Sequence, residues 1–227
     1  MTNVVAVNGS PLQGKGRTAT ILAPFLKGIE EYGAKVNLFY ASKLKVKPCS
    51  CGQLFCWNRT PGKCIFNDEM QQIFPLIKKA RMLVLATPVY IPLPGDMQNF
   101  INRLVPLLDP TIECRDGRTR ARFRDDVEIE KICLVASGGW WEPENFDTVI
   151  RIVEELAEDA KISFVGPIIR PHAQFMHKGD QLTEDAKIVL TALEQAGAEL
   201  IQTGEIQQET LDMIKKPLIT KEKFYNR

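Results

Sequence analysis

Five short apolar runs, separated by helical patterns, constrain the fold of this chain more than any other feature. They are rich in β-branched residues and predict strands at residues 4–7, 36–40, 82–87, 132–137 and 162–169. Several of the runs are apolar throughout, which is typical of parallel strands covered by helices on both faces. Strands that alternate with helices form parallel sheets with right-handed crossovers. The sequence therefore predicts an open, doubly wound α/β sheet.

Two of the helical patterns between the runs are regular, and the first is interrupted by a proline. Residues 146–157 and 188–200 carry apolar side chains at helical spacing, and Thr183 is a suitable N-cap for the second helix. Pro24 falls inside the first helical pattern, residues 21–29. Because proline removes a backbone donor, it predicts a kink or a shifted start for that helix.

The turn after the first strand, NGSPLQGKGRT at residues 8–18, predicts an anion site. Amides of a first helical turn lack intrahelical acceptors, and the helix dipole favours negative charge there. Gly16 stands where a nucleotide-triphosphate loop needs Ser or Thr for magnesium, and the glycine spacing does not match the dinucleotide fingerprint. The remaining polar side chains suit one phosphate monoester: Ser10, Thr18, Lys15 and Arg17. The alternative is an ordinary strand-to-helix turn.

Two more loops leave neighbouring strand ends and suit a planar ring. Residues 87–95, TPVYIPLPG, hold an extended backbone beside the flat face of Tyr90, and residues 137–141, SGGWW, combine two glycines with two tryptophans. Ligands of open parallel sheets bind at the carboxyl ends of the strands. The three loops together therefore predict a flat heteroaromatic ligand with a phosphate tail. The alternative for each loop alone is plain packing or a plain turn.

Composition excludes several classes of function. Lys plus Arg (29) nearly equals Asp plus Glu (28), so no global charge favours nucleic acid or an anionic membrane surface. No run reaches transmembrane length, and the first residues lack the features of a signal peptide, so we expect no membrane association and a cytoplasmic location. A Ser-His-Asp hydrolase is poorly supported, since no G-x-S-x-G motif occurs and both histidines, His172 and His177, follow the fifth strand.

Four of the six cysteines form a cluster with the spacing C-x-C-x4-C-x7-C, namely Cys49, Cys51, Cys56 and Cys64. In a reducing compartment we do not expect disulfides. Three interpretations remain: a [4Fe–4S] cluster, redox-active thiols beside the planar ligand, or a structural zinc site. Of the other two cysteines, Cys133 is expected to pack as a small apolar strand residue.

Residues 106–128 interrupt the compact pattern with five arginines among acidic residues, at positions 115, 118, 120, 122 and 124. A loop this long and charged predicts a solvated excursion or a contact with another subunit. A more specific alternative is that these arginines bind a phosphate group of a second nucleotide.

Several motifs together resemble the NADPH-dependent FMN reductase family of flavodoxin-like proteins. They are NGSP and GRT in the first loop, TPVY at residues 87–90, and NFINR at residues 99–103. The resemblance covers roughly residues 3–170. The cysteine segment, GGWWE at residues 138–142 and NFD at residues 145–147 resemble its iron–sulfur flavoprotein branch.

That resemblance implies a five-stranded flavodoxin-like sheet of order 2-1-3-4-5, with helices on both faces and non-covalently bound FMN. Residues 1–205 would form the FMN-binding domain, including the cysteine-rich loop 48–64 and the charged loop 106–128, and residues 206–227 a C-terminal extension. Arg17 stands where many relatives carry Asn, and its charge should strengthen phosphate binding. Thirteen residues would bind FMN: Ser10, Leu12, Gly16, Arg17, Thr18, Pro88, Val89, Tyr90, Ile91, Ser137, Gly138, Gly139 and Trp140.

The resemblance also implies the activity, which is NAD(P)H-dependent reduction of FMN with electrons passed to a quinone, a flavin or a metal ion. The flavin would carry the redox chemistry, so no catalytic side chain is predicted. The alternative is an electron carrier that joins FMN, a [4Fe–4S] cluster on the four clustered cysteines, and a ferredoxin-like partner. The spacing of the four cysteines departs from the pattern of the iron–sulfur flavoprotein branch, C-x2-C-x2-C-x4–7-C, in its first two intervals. A homodimer or homotetramer is implied in either case.

Overall fold

A computed structural model describes residues 2–226. One parallel sheet is formed by β1 (Asn3–Asn8), β2 (Lys35–Tyr40), β3 (Met82–Pro88), β4 (Lys131–Ser137) and β5 (Ser163–Arg170). Their order across the sheet is β2-β1-β3-β4-β5, and every neighbouring pair is parallel. The predicted doubly wound α/β fold and its strand order are confirmed.

Within residues 2–226, eight α-helices connect and cover the strands. They are α1 (Arg17–Glu31), α2 (Phe55–Asn58), α3 (Met70–Lys78), α4 (Gly95–Asn102), α5 (Asp147–Ala160), α6 (Glu184–Gln202), α7 (Gln208–Lys215) and α8 (Lys221–Tyr225). Helices α1, α6 and α7 pack on one face of the sheet, and α3, α4 and α5 pack on the other. Helices α1 and α6 approach closely at Gly28, where a Cβ atom would lie 1.9 Å from the carbonyl oxygen of Glu194.

Alternate residues of the strands build the two cores. Val5, Leu83 and Ile132 face the α3, α4 and α5 layer, whereas Val4, Val84 and Cys133 face the opposite layer. All six side chains are fully buried, as expected for parallel strands covered on both faces. Burial raises the pKa of the Cys133 thiol to about 12, so this cysteine packs as the apolar residue that the sequence predicts.

Helix α1 passes through Pro24 without interruption. The helix begins at Arg17, so a start shifted by Pro24 is wrong, and a kink at Pro24 stays a prediction. Proline removes one backbone donor, but the apolar face of the helix is buried against α6 and the sheet, at Ile21, Leu22, Phe25 and Ile29. Tertiary packing of this face outweighs the local cost of the proline.

The arginine-rich segment docks onto α5 instead of extending into solvent. Its centre is an antiparallel hairpin of Glu113–Arg115 and Arg118–Arg120. Arg120 is only 8% exposed and forms ion pairs with Glu155, Glu158 and Asp159 of α5. The expectation of a solvated excursion is therefore wrong for this part. Each of the five arginines pairs with a carboxylate of this chain, so the segment offers a nucleotide phosphate no unpaired arginine.

The C-terminal residues pack onto the fold at the end of β5. Helix α7 contacts α6 and β5 and buries Ile214, and α8 buries Phe224. Across residues 2–226, no helix has both the length and the apolar character needed to cross a membrane.

Candidate functional site

The loops that follow β1, β3 and β4 meet in one pocket at the carboxyl edge of the sheet. The fifth strand adds a fourth loop, because a short 3-10 turn, Ala173–Met176, follows it. Ten of the thirteen residues predicted to bind the cofactor line the pocket, together with two that were not predicted: Ser10, Leu12, Arg17, Thr18, Pro88, Val89, Tyr90, Ser137, Gly138, Gly139, Ala173 and Gln174.

The first end of the pocket is the start of α1. The amides of Ala19 and Thr20 donate to the Gly16 carbonyl, but those of Arg17 and Thr18 have no protein acceptor within residues 2–226. The side chain of Thr18 is buried, and its Oγ1 lies 2.8 Å from Ser137 Oγ at the end of β4. Free amides, paired hydroxyls and the positive end of a fifteen-residue helix form a suitable anion site.

Local hydrogen bonds shape the loop that carries this end. The buried side chain of Asn8 accepts the Ser10 amide at 2.8 Å, and Ser10 Oγ accepts the Leu12 amide at 3.3 Å. Gly16 does not line the pocket but packs behind it. A Cβ atom at Gly16 would lie 2.7 Å from Ser10 Oγ, so only glycine permits this close approach. Gly16 thus supports the loop that presents Ser10.

The second end of the pocket is bounded by the loops after β3 and β4. The Val89 amide donates to the Ser137 carbonyl at 2.8 Å and thereby joins the loops after β3 and β4. Tyr90 is 56% exposed at the edge of the pocket. Ile91 and Trp140 do not line it, and these residues are 99% and 66% exposed.

The loop after β5 supplies the residues that sequence reasoning missed. Gln174 Nε2 donates to the Gly139 carbonyl at 3.0 Å, and the Ala173 amide donates to the Gly138 carbonyl at 2.9 Å. The signal available in the sequence was positional, because this loop leaves the same edge of the sheet as the other three. Arg170 and His172 are fully buried beside it.

The four clustered cysteines line a second, smaller pocket, which shares no lining residue with the first. The buried Arg103 of the segment after α4 also lines it and donates to Cys64 Sγ at 3.4 Å. The same guanidinium binds both carboxylate oxygens of Asp68, at 2.7 and 3.1 Å. Residues distant in sequence thus hold this loop, and Asn99 of α4 accepts the Cys49 amide at 3.2 Å.

The four thiols differ in their electrostatic surroundings. Burial raises the pKa of Cys49 and raises that of Cys56 to about 11, with neighbouring cysteines as a further cause. The backbone amide of Phe55 lowers the pKa of Cys51, aided by other amides of the same turn. In the part of the chain that the structure describes, no three His, Cys, Asp or Glu side chains are arranged to hold a single metal ion. The zinc and iron–sulfur interpretations both stay predictions.

Comparisons with known proteins identify the family of this chain. The model of a family described as NADPH-dependent FMN reductase matches residues 2–122. An iron–sulfur flavoprotein of Archaeoglobus fulgidus is 30% identical over 104 residues, which are 45% of each chain. The chain spans about half the length of the curated relatives that it matches.

Two solved structures share the fold at low sequence identity. An NAD(P)H:quinone oxidoreductase from Methanothermobacter marburgensis superposes with a TM-score of 0.65 at 16% identity, covering 88% of this chain and 96% of that one. An FMN-dependent NADH-azoreductase from Bacillus anthracis, solved in complex with FMN, has a TM-score of 0.60 at 11% identity, covering 89% of this chain and all (100%) of that one. These two likenesses concern the fold. The family match covers more than half of the sequence and includes the loops after β1 and β3, so this chain belongs to the NADPH-dependent FMN reductase family.

Proposed function

We propose that the pocket at the carboxyl edge of the sheet binds FMN, with the phosphate at the start of α1. The observation that carries this proposal is the convergence of Ser10, Thr18 and Ser137, three buried hydroxyl side chains, on a helix start with two free amides. Buried polar groups require partners, and phosphate oxygens are acceptors for hydroxyl and amide donors alike. Arg17 lies at the same end and adds a positive charge.

The other lining residues suit the flavin ring. Pro88 and Val89 offer a rigid backbone wall, and Gly138 and Gly139 line the same pocket without side chains. Among the described lining residues, only Arg17 and Tyr90 carry ionisable side chains. The bound flavin would supply the redox chemistry, and the chain would bind the flavin, orient it and leave one side of it accessible.

We infer that the chain is an oxidoreductase in which NAD(P)H reduces FMN and a small molecule then accepts the electrons. Support comes from the family, from the fold of the named quinone oxidoreductase and azoreductase, and from the open mouth beside Tyr90. A quinone, a free flavin or a metal ion would each be a suitable acceptor at an open site.

Anaerobic mixing of the FMN-loaded protein with NADH or NADPH tests this function. We expect one or both nucleotides to bleach the absorbance of the oxidised flavin, followed by recovery on addition of a quinone. If both nucleotides leave the flavin oxidised, the reductase function is rejected. If the protein does not bind FMN at all, the cofactor assignment is rejected as well.

A second candidate function follows from the cysteine pocket. Four thiols and a buried arginine line one small cavity, and backbone amides surround Cys51. Cysteine thiolates stabilised by such donors are the ligands of iron–sulfur clusters. We propose that Cys49, Cys51, Cys56 and Cys64 hold a [4Fe–4S] cluster, and that the chain then exchanges electrons with a ferredoxin-like protein.

Iron and acid-labile sulfide measured on anaerobically purified protein decide this candidate. About four of each per chain are expected for a [4Fe–4S] cluster. Cys51→Ser should remove most of the iron, whereas Cys114→Ser, an exposed cysteine outside the cluster, should retain it. Protein with bound flavin but without iron and sulfide would exclude the carrier and leave the reductase function.

A further inference from the structure

The turn at residues 138–141, here the GGWW turn, is held by the last residue of β5 and the residues that follow it. Both of its glycines line the proposed FMN pocket. Because glycine adopts many backbone conformations, the turn needs contacts from elsewhere to hold one of them. Four hydrogen bonds join the two segments: Gly138 N to Arg170 O at 3.0 Å, His172 N to Trp140 O at 2.8 Å, Ala173 N to Gly138 O at 2.9 Å, and Gln174 Nε2 to Gly139 O at 3.0 Å. The turn is therefore as ordered as residues 170–174 are.

Residues 170–174 are in turn tied to residues 214–225, here the C-terminal clasp. The fully buried guanidinium of Arg170 donates through Nη1 to the carbonyls of Ile214 at 2.6 Å and Lys216 at 2.9 Å. His172 Nε2 accepts the Leu218 amide at 3.2 Å and lies 2.9 Å from Arg170 Nη2. A buried arginine that donates to carbonyls of the clasp cannot move without losing charge-assisted hydrogen bonds.

The clasp also reaches the GGWW turn and the residue after it directly. Trp141 Nε1 donates to the Ile219 carbonyl at 3.3 Å, and the Trp141 ring stacks on the His172 imidazole with centroids 6.0 Å apart. Glu142 accepts the Tyr225 hydroxyl at 2.7 Å and pairs with Lys221 at 3.0 Å. The clasp thus holds both ends of this turn, through Arg170 and His172 on one side and through Trp141 and Glu142 on the other.

We propose that the C-terminal clasp positions the GGWW turn for FMN binding, with Arg170, His172 and Trp141 as positioning residues. This inference rests on the proposed FMN site. The amide of Gly139, which lines the pocket, finds no protein acceptor among residues 2–226, so it is available to the cofactor when the turn is held. A turn ordered beforehand avoids the entropy cost of ordering on binding, and FMN affinity rises accordingly.

A chain that ends after Lys216 tests the clasp while it retains α7 and the two carbonyls that accept from Arg170. Deuterium exchange without FMN reports on the turn, and fluorescence titration reports the dissociation constant of FMN. We expect the amides of Gly138, His172 and Ala173 to exchange about tenfold faster, and FMN to bind about tenfold more weakly, as for the loss of one to two net hydrogen bonds.

A second variant, Lys221→Met with Tyr225→Phe, keeps the full length of the chain. It should raise the exchange rates of these amides and the dissociation constant of FMN about threefold. Tyr32→Phe, an exposed tyrosine at the end of α1, is the matched control and should shift neither.

The outcomes separate the clasp from the FMN site. Unchanged exchange in the chain that ends after Lys216 overturns the clasp, because residues 217–225 were then removed without effect on the turn. If these amides exchange faster in the variants but FMN affinity is unchanged, the role of the clasp in cofactor binding is overturned. If the full-length protein binds no FMN, the proposed function fails and this role with it, while the exchange rates still report whether residues 217–225 order the turn.

Discussion

The hydroxyl oxygens of Thr18 and Ser137 lie 2.8 Å apart, although 119 residues separate them in the sequence. Thr18 belongs to the first turn of α1 and Ser137 ends β4, so this contact joins the two loops on either side of the pocket. Both side chains are almost fully buried, and each hydroxyl can accept one hydrogen bond and donate another. The pair can therefore satisfy itself and still offer a donor to a phosphate oxygen.

Replacing Thr18 by valine removes one of these hydroxyls and preserves the side-chain shape. We expect FMN to bind about tenfold more weakly, since a net hydrogen bond contributes about 1–1.5 kcal/mol. Fluorescence titration measures this change. Thr148→Val, at an exposed position of α5, is the control and should leave the affinity unchanged. Equal affinity of the Thr18 variant and the wild type would exclude Thr18 from the binding site.

Gly16→Ala tests the support behind the phosphate loop. The new Cβ atom would lie 2.7 Å from Ser10 Oγ and 3.1 Å from Leu12 Cβ, so the loop must shift. Overpacking of this kind costs about 1–3 kcal/mol, and we expect both the melting temperature and the FMN affinity to fall. Gly95→Ala meets no atom within 4 Å and should change neither. Unaltered FMN affinity in the Gly16 variant would mean that the position of Ser10 does not matter for binding.

Arg17 and Lys15 provide a matched comparison of two neighbouring cations, of which only Arg17 lines the pocket. Arg17→Met should weaken FMN binding about five- to tenfold at low ionic strength, because a charge-assisted hydrogen bond to phosphate is lost. Lys15→Met should change it less than about twofold. Titrations at two salt concentrations check the origin of the effect, since the difference between the wild type and the Arg17 variant should shrink as salt increases. Equal effects of the two substitutions would point to general attraction instead of a direct contact.

The sequence predicted the sheet because buried parallel strands must be apolar along their whole length. It predicted three of the four loops of the pocket because topology brings strand ends to one edge. Gln174 was missed, since its contact with Gly139 depends on how the chain turns after β5. Two arginines, Arg103 and Arg170, are fully buried although charged residues are expected at the surface. Their acceptors come from segments far away in the sequence, which local patterns do not reveal.

The hairpin in the arginine-rich segment had a local signal that sequence reasoning did not use. Asp116 and Gly117 both have positive φ angles, of 50° and 72°, as a two-residue hairpin turn requires. The flanking strands are only three residues long and carry charged residues, so no apolar alternation marks them. The hairpin is held by charge pairing with α5, a tertiary effect without a sequence period.

Arg120→Met tests whether that pairing stabilises the fold. The substitution leaves the carboxylates of Glu155, Glu158 and Asp159 without their shared buried partner. We expect the free energy of unfolding to fall by about 1–3 kcal/mol in urea titrations, because the charge-assisted hydrogen bonds of a guanidinium that is 8% exposed are lost, although Glu155 and Glu158 keep Arg151 as a partner. Arg122→Met removes an exposed pair with Asp125 and should cost less than about 1 kcal/mol. A similar small loss in both variants would show that the hairpin is not held by Arg120.

Asp68 makes the stability of the cysteine loop dependent on pH. Its side chain is 5% exposed and binds the fully buried guanidinium of Arg103. Burial alone would raise the pKa of Asp68, but hydrogen bonds from Arg103 and from the Lys47 and Met70 amides outweigh it and hold this pKa below its usual value. The stabilisation is therefore fully present above the unfolded-state pKa of about 3.9, and it is lost as the pH falls through that value to the lower folded pKa.

Asp68→Asn should reduce the free energy of unfolding by about 3 kcal/mol at neutral pH, because Arg103 remains buried without its counter-charge. Denaturant titrations of variant and wild type across the acid range measure the difference, which should shrink as the pH drops below about 4. Asp180→Asn, in an exposed turn, should show neither the loss nor its pH dependence. A difference between Asp68→Asn and wild type that stays constant from neutral to acid pH would mean that the loss comes from packing and not from the charge of Asp68. In that case the cysteine loop would owe its position to the shape of Arg103, and Arg103→Met should then be tolerated better than Arg103→Ala.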